Sequence, residues 1–214
     1  MSVLENLFQQ YLYIANDVLK EKYGESLSNQ IILSLEEEFR LIINSTYTQN
    51  VIPKDINQKM HVVTLCFVIA LYRALKKESS LSTSIEQVKN IMMDNFRDFA
   101  GPLAEMQKNG LQNSKNKWKK FKDTTIFGTN NTYSSFEPEF IKNDDKVLEF
   151  HLNKCVFFEV FKVIGELSLA PILCFYDDIF AEAVEEWISF GRPKTIADGD
   201  DYCQFCYFFK NNEE

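Results

Sequence analysis

The chain has 214 residues, of which 45% are hydrophobic and 25% charged, and its formal net charge is −8. This composition is typical of a globular protein and excludes a disordered chain. An acidic surface repels phosphate backbones, so we expect no nucleic-acid partner. The longest apolar stretch, residues 60–72, is shorter than the ~20 residues of a membrane-spanning helix, and the sequence has no signal-peptide pattern. We therefore expect a cytoplasmic protein without a membrane role.

The first hundred residues predict helices only. Apolar residues recur at intervals of three and four over residues 2–22, with Gly24 as a stop, and the same period returns after Ser28. The stretch TQNVIPKD predicts a break in which Pro53 suits a turn or a first helical position. A buried helix is then expected over residues 55–77.

The next helix has a marked start and a marked end. We expect Gly101 and Pro102 to end it. A capping box begins it, and either Thr83 with Glu86 or Ser84 with Gln87 could form that box. The stretch that follows, residues 103–131, predicts no clear element, because lysines surround its aromatic residues and TTIFGTNNTYSS has the composition of a loop.

The C-terminal part changes to a strand pattern. FEPEFIK and KVLEFHL, joined by NDD, predict a hairpin in which Leu148, Phe150 and Leu152 share one face. A short helix ending at Gly165 follows, and then a longer helix that opens at Pro171. ISFGRPKTI and YCQFCYFF predict a second hairpin, with Asp198 and Gly199 as its turn pair.

Together these elements predict an α+β fold, with a helical N-terminal half followed by a small antiparallel sheet of about four strands that carries two helices. We expect a helical region over residues 1–125 and an α+β region over residues 126–214, which carries the functional site, within one compact domain. No internal repeat is visible in the sequence.

The cysteines suggest several kinds of site. Cys203 and Cys206 form a C-x-x-C pair, but successive strand residues alternate between faces, so these two thiols point in opposite directions. This geometry argues against a shared metal or an easy disulfide, and we expect no metal and no cofactor. Both thiols could simply be small core residues. The odd count of five cysteines in a chain without an export signal favours reduced thiols.

Several acidic residues and one histidine leave two interpretations open. Cys174 and Asp177 are neighbours on a helix, and they could be a solvated edge or a thiol and a carboxylate that face a cleft. His151 could be a buried strand residue or a proton shuttle. The aspartates at 198, 200 and 201 fit an Asp-rich turn better than a calcium loop.

Two C-terminal segments, KCVFFEVFKVIGELSLAPILCFYDDIF and RPKTIADGDDYCQFCYF, resemble the L-2-amino-thiazoline-4-carboxylic acid hydrolase family. The family pattern has a Cys that opens a short helix, a C-x-x-D, an Arg before a T-I-A-x-G segment, and a Cys four residues after that glycine. The matching positions are Cys155, Cys174 to Asp177, Arg192, Thr195 to Gly199, and Cys203. The position after the last Cys is commonly an acid in the family and is Gln204 in this chain.

The resemblance implies hydrolysis of a small cyclic isothiourea or amidine, opening a thiazoline ring toward carbamoyl-cysteine at a carbon–nitrogen or carbon–sulfur bond. Arg192 would hold the substrate carboxylate, and Asp177 or Asp198 would pair with the amidine-like nitrogens. Either a thiol attacks the ring carbon, or a carboxylate activates water. The resemblance thus assigns catalysis to Cys174, Asp177 and Cys203, and substrate binding to Arg192, Asp198, Cys155 and His151.

Two other functions remain open. The chain could be a non-catalytic module that binds or senses a small ligand, related to 4-vinyl reductase-type domains, since a fold does not fix a function. It could also be a structural protein with sulfur in its core. For a hydrolase and for a binding module alike, the partner is a small carboxylate or cyclic amidine. The helical half could pair with a second copy to form a homo-oligomer.

Overall fold

A computed structural model describes residues 3–51 and 55–210. The chain divides into two compact units by its internal contacts. Unit 1 comprises Met1–Phe99 and Phe157–Leu173, and unit 2 comprises Ala100–Val156 and Cys174–Glu214. The expected division at residue 125 stays a prediction. Pro53 lies outside the described residues.

The order of elements confirms the predicted α+β class, with a helical N-terminal half and a four-stranded antiparallel sheet. Among the described residues, no helix is both long and apolar enough to cross a membrane. The elements are α1 (Val3–Tyr23), α2 (Glu25–Ile43), α3 (Thr46–Val51), α4 (Ile56–Lys77), α5 (Ile85–Gln112), α6 (Lys117–Thr132), β1 (Pro138–Asn143), β2 (Val147–Leu152), α7 (Val156–Ile164), α8 (Ala170–Cys174), α9 (Tyr176–Val184), β3 (Ile188–Gly191) and β4 (Cys203–Phe209).

Unit 1 is built on the long helices that the apolar period predicts. Phe8 of α1 stacks on Phe39 of α2 with ring centroids 3.8 Å apart, and the Tyr11 hydroxyl lies 3.0 Å from the Thr64 hydroxyl of α4. Gly24 has a φ of 78°, a conformation that glycine adopts at low cost, and it ends α1 as predicted. Burial of each large apolar side chain contributes roughly 1.5–3 kcal/mol, so the aromatic contacts hold these helices together.

The start of α5 decides between the two alternative capping boxes. The Gln87 amide donates to Ser84 Oγ at 3.1 Å, so Ser84 is the N-cap residue. The Gln87 side chain does not return to the cap, because its amide group donates to the Tyr23 hydroxyl. Thr83 Oγ1 is buried without a hydrogen-bond partner among the described residues.

Two predicted boundaries are wrong. The stretch TQNVIPKD was expected to interrupt the helices, but α3 occupies part of it. The prediction that Gly101 and Pro102 end α5 fails because the helix runs through both residues to Gln112. Pro102 removes one helical hydrogen bond, and Ala104 and Leu111 beyond it are buried, so their burial offsets the lost bond.

The stretch with loop composition forms α6. Its N-cap Asn116 accepts a hydrogen bond from the Lys119 amide at 2.8 Å. Trp118 and Phe121 are buried on one face of the helix, and their rings pack on Phe209 and Tyr207 of β4. Packing against the sheet therefore outweighs the local preference of the Gly and Asn residues in this stretch.

The sheet has the strand order β1-β2-β4-β3. The register pairs Leu148 with Tyr207, Phe150 with Phe205, and Leu152 with Cys203, so these residues share one face, which we call the aromatic face. Glu149 pairs with Cys206 and His151 with Gln204 on the other face, which we call the polar face. Cys203 and Cys206 thus point to opposite sides, as predicted, and all five cysteines carry reduced thiols.

The predicted turn of the second hairpin is corrected. β3 ends at Gly191, and the chain then forms a 3-10 turn over Ile196–Asp198 that ends at Gly199, whose φ is 100°. Asp198 and Gly199 are therefore not the pair of a type I′ turn, which would need a positive φ at both positions, whereas Asp198 has a negative φ. The side chain of Thr195 caps the 3-10 turn, and this capping selects the observed shape.

Candidate functional site

Arg192 lies at the centre of the candidate site, directly after β3. Its side chain is 12% exposed. Its Nη1 donates to Asp177 Oδ2 at 2.5 Å and to the carbonyl oxygen of Cys174 at 2.9 Å. The guanidinium carbon lies 5.8 Å from the ring centroid of Phe190 and 5.9 Å from that of Phe205, so the aromatic face of the sheet supports the cation.

The contact with the Cys174 carbonyl explains a break in the predicted helix. A single helix was expected from Pro171 onward, but α8 ends at Cys174 and α9 begins at Tyr176. The Asp178 amide donates to the Phe175 carbonyl at 3.2 Å and not to Cys174 four residues before it. Because Arg192 takes the Cys174 carbonyl, the helix breaks where Cys174 and Asp177 meet the cation.

Asp177 is held between two opposing effects. Burial raises the pKa of its carboxyl group to about 6, although the neighbouring Arg192 acts to lower this pKa and Asp178 acts to raise it. A carboxyl group with this pKa is mostly ionised at neutral pH and still able to accept a proton. Two carboxylates stand side by side in the chain, but only Asp177 forms the ion pair with Arg192.

Cys174 carries a neutral thiol at rest. Burial raises its pKa to about 12, and the charge of Arg192 opposes that shift. Asp177, Cys155 and Cys203 also act on this thiol, each raising its pKa. These electrostatic interactions place Cys155 and Cys203 near Cys174, although Cys155 comes from the segment between β2 and α7.

Cys203 lies at the start of β4 on the aromatic face and is 9% exposed. The amide of Ile196 donates to its Sγ at 3.4 Å. Burial raises the pKa of this thiol, while the Ile196 amide and the charge of Arg192 both act to lower it. Cys203 is therefore a buried thiol with two neighbours that favour its thiolate form.

The turn before β4 is held by its own side chains. Thr195 is 6% exposed, and its hydroxyl donates to Asp198 Oδ2 at 2.6 Å. The Thr195 amide donates to Asp200 Oδ2 at 2.9 Å. The Asp198 carboxylate thus stabilises the turn, and this use of Asp198 differs from the predicted pairing with substrate nitrogens.

His151 lies on the polar face, away from Cys203. Its Nε2 is 3.5 Å from Glu149 Oε1, and its ring stacks on Tyr202 with centroids 4.0 Å apart. Gln204 donates to the same Glu149 oxygen at 2.7 Å, while His151 Nε2 is buried without a hydrogen-bond partner among the described residues. The structure therefore does not bring His151 together with Arg192.

The structure thus gathers most, but not all, of the predicted site residues. We call the gathered set the Arg192 cluster: Cys155, Cys174, Asp177, Arg192 and Cys203. Among the residues that the structure describes, no group of three or more His, Cys, Asp and Glu could hold a metal ion. Sequence reasoning placed Asp200 in an Asp-rich turn, where the structure has it, but gave it no role at the site. It missed the Ile196 amide, which no residue type marks.

Comparison with known proteins gives one result that bears on identity. Searches among curated proteins and among solved structures gave no significant match. The sequence model of the L-2-amino-thiazoline-4-carboxylic acid hydrolase family matches residues 59–207, well over half of the chain. This range contains every member of the Arg192 cluster. The protein therefore belongs to the L-2-amino-thiazoline-4-carboxylic acid hydrolase family.

Proposed function

We propose that this protein is a hydrolase that opens a small cyclic isothiourea or amidine, such as 2-aminothiazoline-4-carboxylate, to a carbamoyl-cysteine. Membership of the family supports the reaction class. The structural observation that carries the proposal is the Arg192–Asp177 ion pair beside the thiols of Cys174 and Cys203. A cation can bind the substrate carboxylate, and a carboxylate or a thiol can start the attack on the ring carbon.

Arg192 is proposed to bind the substrate carboxylate. A guanidinium group matches a carboxylate through two parallel hydrogen bonds. The Nε of Arg192 is buried and has no hydrogen-bond partner within the described part of the chain, so a carboxylate bound beside it would satisfy this donor. The net charge of −8 repels anions in general, so a local cation is needed for an anionic substrate.

Asp177 is proposed to act as the base and as the partner of the substrate nitrogens. A substrate carboxylate at Arg192 would compete with Asp177 for the guanidinium, and the released Asp177 could pair with the amidine-like group. Its pKa of about 6 suits a general base near neutral pH. The thiol of Cys174, with its pKa raised to about 12 by burial, is a poor nucleophile at rest.

The overall reaction consumes one water. Oxygen becomes bonded to the ring carbon that lies between nitrogen and sulfur, and one ring bond of that carbon breaks. If the carbon–sulfur bond breaks, the sulfur leaves as a thiol and the product carries a carbamoyl group on nitrogen. If the carbon–nitrogen bond breaks, an amine is released and the carbamoyl group stays on sulfur.

The test is conversion of 2-aminothiazoline-4-carboxylate by the purified protein. Mass spectrometry should detect a product that is heavier by one water, and a thiol reagent reports whether the carbon–sulfur bond has broken. Removal of a general base typically slows a reaction by about 10²- to 10⁴-fold, and we expect this loss for Asp177→Asn. Asp178→Asn, the adjacent aspartate, is the matched control and should keep most of the activity. A wild-type protein that forms no product would refute the proposed function, and an Asp177→Asn variant with full activity would refute the role of Asp177 as the base.

A second function is favoured by a specific observation, since burial raises the pKa of both Cys174 and Cys203. Neutral thiols around a cation suit a module that binds a small carboxylate without converting it. In that case the ligand would raise the Tm of the protein, because binding to the folded state stabilises it, and no product would form. Measuring the Tm and the product in the same samples separates the two functions.

A further inference from the structure

The two cysteines of β4 are almost equally buried but have different neighbours. Cys203 is 9% exposed and Cys206 is 8% exposed. The Ile196 amide donates to the sulfur of Cys203 at 3.4 Å. Burial raises the pKa of the Cys206 thiol, and the negative charge of Glu149, its partner in register, raises this pKa further. A hydrogen-bond donor stabilises a thiolate and a nearby carboxylate destabilises it, so the two thiols should differ in reactivity.

The direction of the Ile196 amide is fixed by the turn. The Thr195 carbonyl and the Ile196 amide belong to one planar trans peptide group, so they point in opposite directions. The amides of Asp198 and Asp200 both donate to that carbonyl at 3.1 Å. Fixing the carbonyl therefore aims the Ile196 N–H at Cys203.

The side chain of Asp200 closes the turn from the other side. Its Oδ2 accepts from the Thr195 amide at 2.9 Å, while its own amide donates to the Thr195 carbonyl. Both ends of Thr195 are thus bonded to one residue. The Thr195 hydroxyl adds a further bond to Asp198, which leaves the Thr195–Ile196 peptide little freedom to rotate.

We propose that the turn Thr195–Asp200 positions Cys203 as the nucleophile of this site, with Asp200 as a positioning residue that acts through the Thr195–Ile196 peptide. The identity of the electrophile depends on the proposed function. The reactivity of the Cys203 thiol does not depend on it. In this arrangement Asp200 bonds to Thr195, and the Ile196 amide donates to the sulfur.

The step proceeds without any added oxidant or cofactor. The Cys203 proton passes to the Asp177 carboxylate, and Sγ forms a bond to the ring carbon between nitrogen and sulfur. The electron pair of the carbon–nitrogen double bond moves to nitrogen and returns as the leaving ring heteroatom departs, and that heteroatom takes the proton from Asp177. Water then adds to the same carbon, the Cys203 thiolate leaves, and the thiol is regenerated with one water consumed.

The experiment measures alkylation by iodoacetamide at Cys203 and Cys206, read separately by peptide mass spectrometry between pH 6 and 10. In the wild type we expect Cys203 to react about tenfold faster than Cys206 at pH 7.5, the size expected for a hydrogen bond to a charged group. Cys206 serves as the internal reference because its burial matches that of Cys203. This readout needs no substrate.

Substitutions of Asp200 give a result whose sign is decisive. The charge of Asp200 raises the pKa of the Cys203 thiol, so loss of charge alone would speed alkylation. Asp200→Ala removes the charge and the acceptor of the Thr195 amide, and we expect about tenfold slower alkylation at Cys203 with no change at Cys206. Asp200→Asn keeps an acceptor oxygen and should react at least as fast as the wild type. Asp201→Ala is the matched control.

Several outcomes overturn the proposal. It is wrong if Cys203 reacts no faster than Cys206 in the wild type, a comparison that needs no variant to fold. It is also wrong if Asp200→Ala speeds the reaction of Cys203, or if Cys203→Ser retains ring opening in a protein whose wild type opens the ring. If the wild type opens no ring while Cys203 still depends on Asp200, the proposed function fails and the positioning by the turn stands.

Discussion

At the scale of single residues, Arg192 links the shape of the chain to its chemistry. One nitrogen of its guanidinium holds both the Cys174 carbonyl and the Asp177 carboxylate. The same guanidinium nitrogen therefore interrupts the helix and forms the ion pair with Asp177. A lysine could supply the charge but not the planar set of donors, so Arg192→Lys should weaken the ion pair and the helix break together.

The ionisation of Asp177 predicts a pH dependence of stability. Its pKa is about 6 in the folded protein against an ordinary value of 3.8. Between these values the folded state binds more protons than the unfolded state, so stability falls as pH rises from about 4 to 6. Relative to Asp177→Asn, the wild type should lose about 2 kcal/mol over this range, as measured by urea unfolding. The exposed control Asp201→Asn should follow the wild type, and an unchanged difference between wild type and Asp177→Asn would contradict the prediction.

Residue-level features of the site could be predicted only in part. Spacing predicted that Cys174 and Asp177 are neighbours, and the family resemblance added Arg192; the structure gathers all three. The donor to Cys203 is the backbone amide of Ile196, and every residue except proline carries such an amide, so no residue type marks it. Its direction depends on the turn, whose 3-10 form arises from the Thr195 cap.

At the scale of elements, the two capping boxes that the sequence leaves open make different predictions for stability. Ser84 Oγ accepts from the Gln87 amide, so Ser84→Ala should destabilise unit 1 by about 1 kcal/mol. Thr83 Oγ1 is buried without a hydrogen-bond partner among the described residues, so Thr83→Val should be neutral or stabilising. Thermal unfolding of the two variants side by side tests this pair, and equal losses would refute the assignment of Ser84.

The proline within α5 gives a second prediction at this scale. Pro102 is exposed and cannot donate to the carbonyl four residues before it. Pro102→Ala restores that donor and a better helix former, and we expect a gain of about 1–3 kcal/mol in the free energy of unfolding. Met106→Ala, at a position of the same helix that is 66% exposed, is the control and should change stability little. A destabilised Pro102→Ala variant would show that the proline is required for the fold.

Elements with a strong apolar period were predictable, and those that depend on distant contacts were not. The period of α1, α2 and α4 follows directly from the sequence. The helix α6 was missed because its Gly and Asn residues favour loops locally, while Trp118 and Phe121 are held by β4. The break at Phe175 depends on Arg192, which lies 17 residues later in the sequence, so a local window could not reveal it.

At the scale of the whole molecule, the helices α1, α2 and α4 lie in unit 1 and the Arg192 cluster lies in unit 2. The polar contacts of the Arg192 cluster lie within unit 2. Unit 1 buries the long apolar helix α4 and carries its own ion pairs, in which Arg73 contacts Glu38 and Glu166. A substitution in the cluster therefore removes polar contacts of unit 2 and leaves these ion pairs in place.

The protein as a whole should be stabilised by its ligand through Arg192. At a ligand concentration 100 times the Kd, binding to the folded state adds about 2.7 kcal/mol, which should raise the Tm by several degrees in 2-aminothiazoline-4-carboxylate. The analogue 2-aminothiazoline lacks the carboxylate and should give a much smaller shift, because it offers nothing to the buried Nε of Arg192. Arg192→Ala should remove the difference between the two compounds, whereas Lys194→Ala, an exposed cation two residues later, should preserve it. Equal shifts in Tm from both compounds in the wild type would mean that Arg192 does not bind the carboxylate.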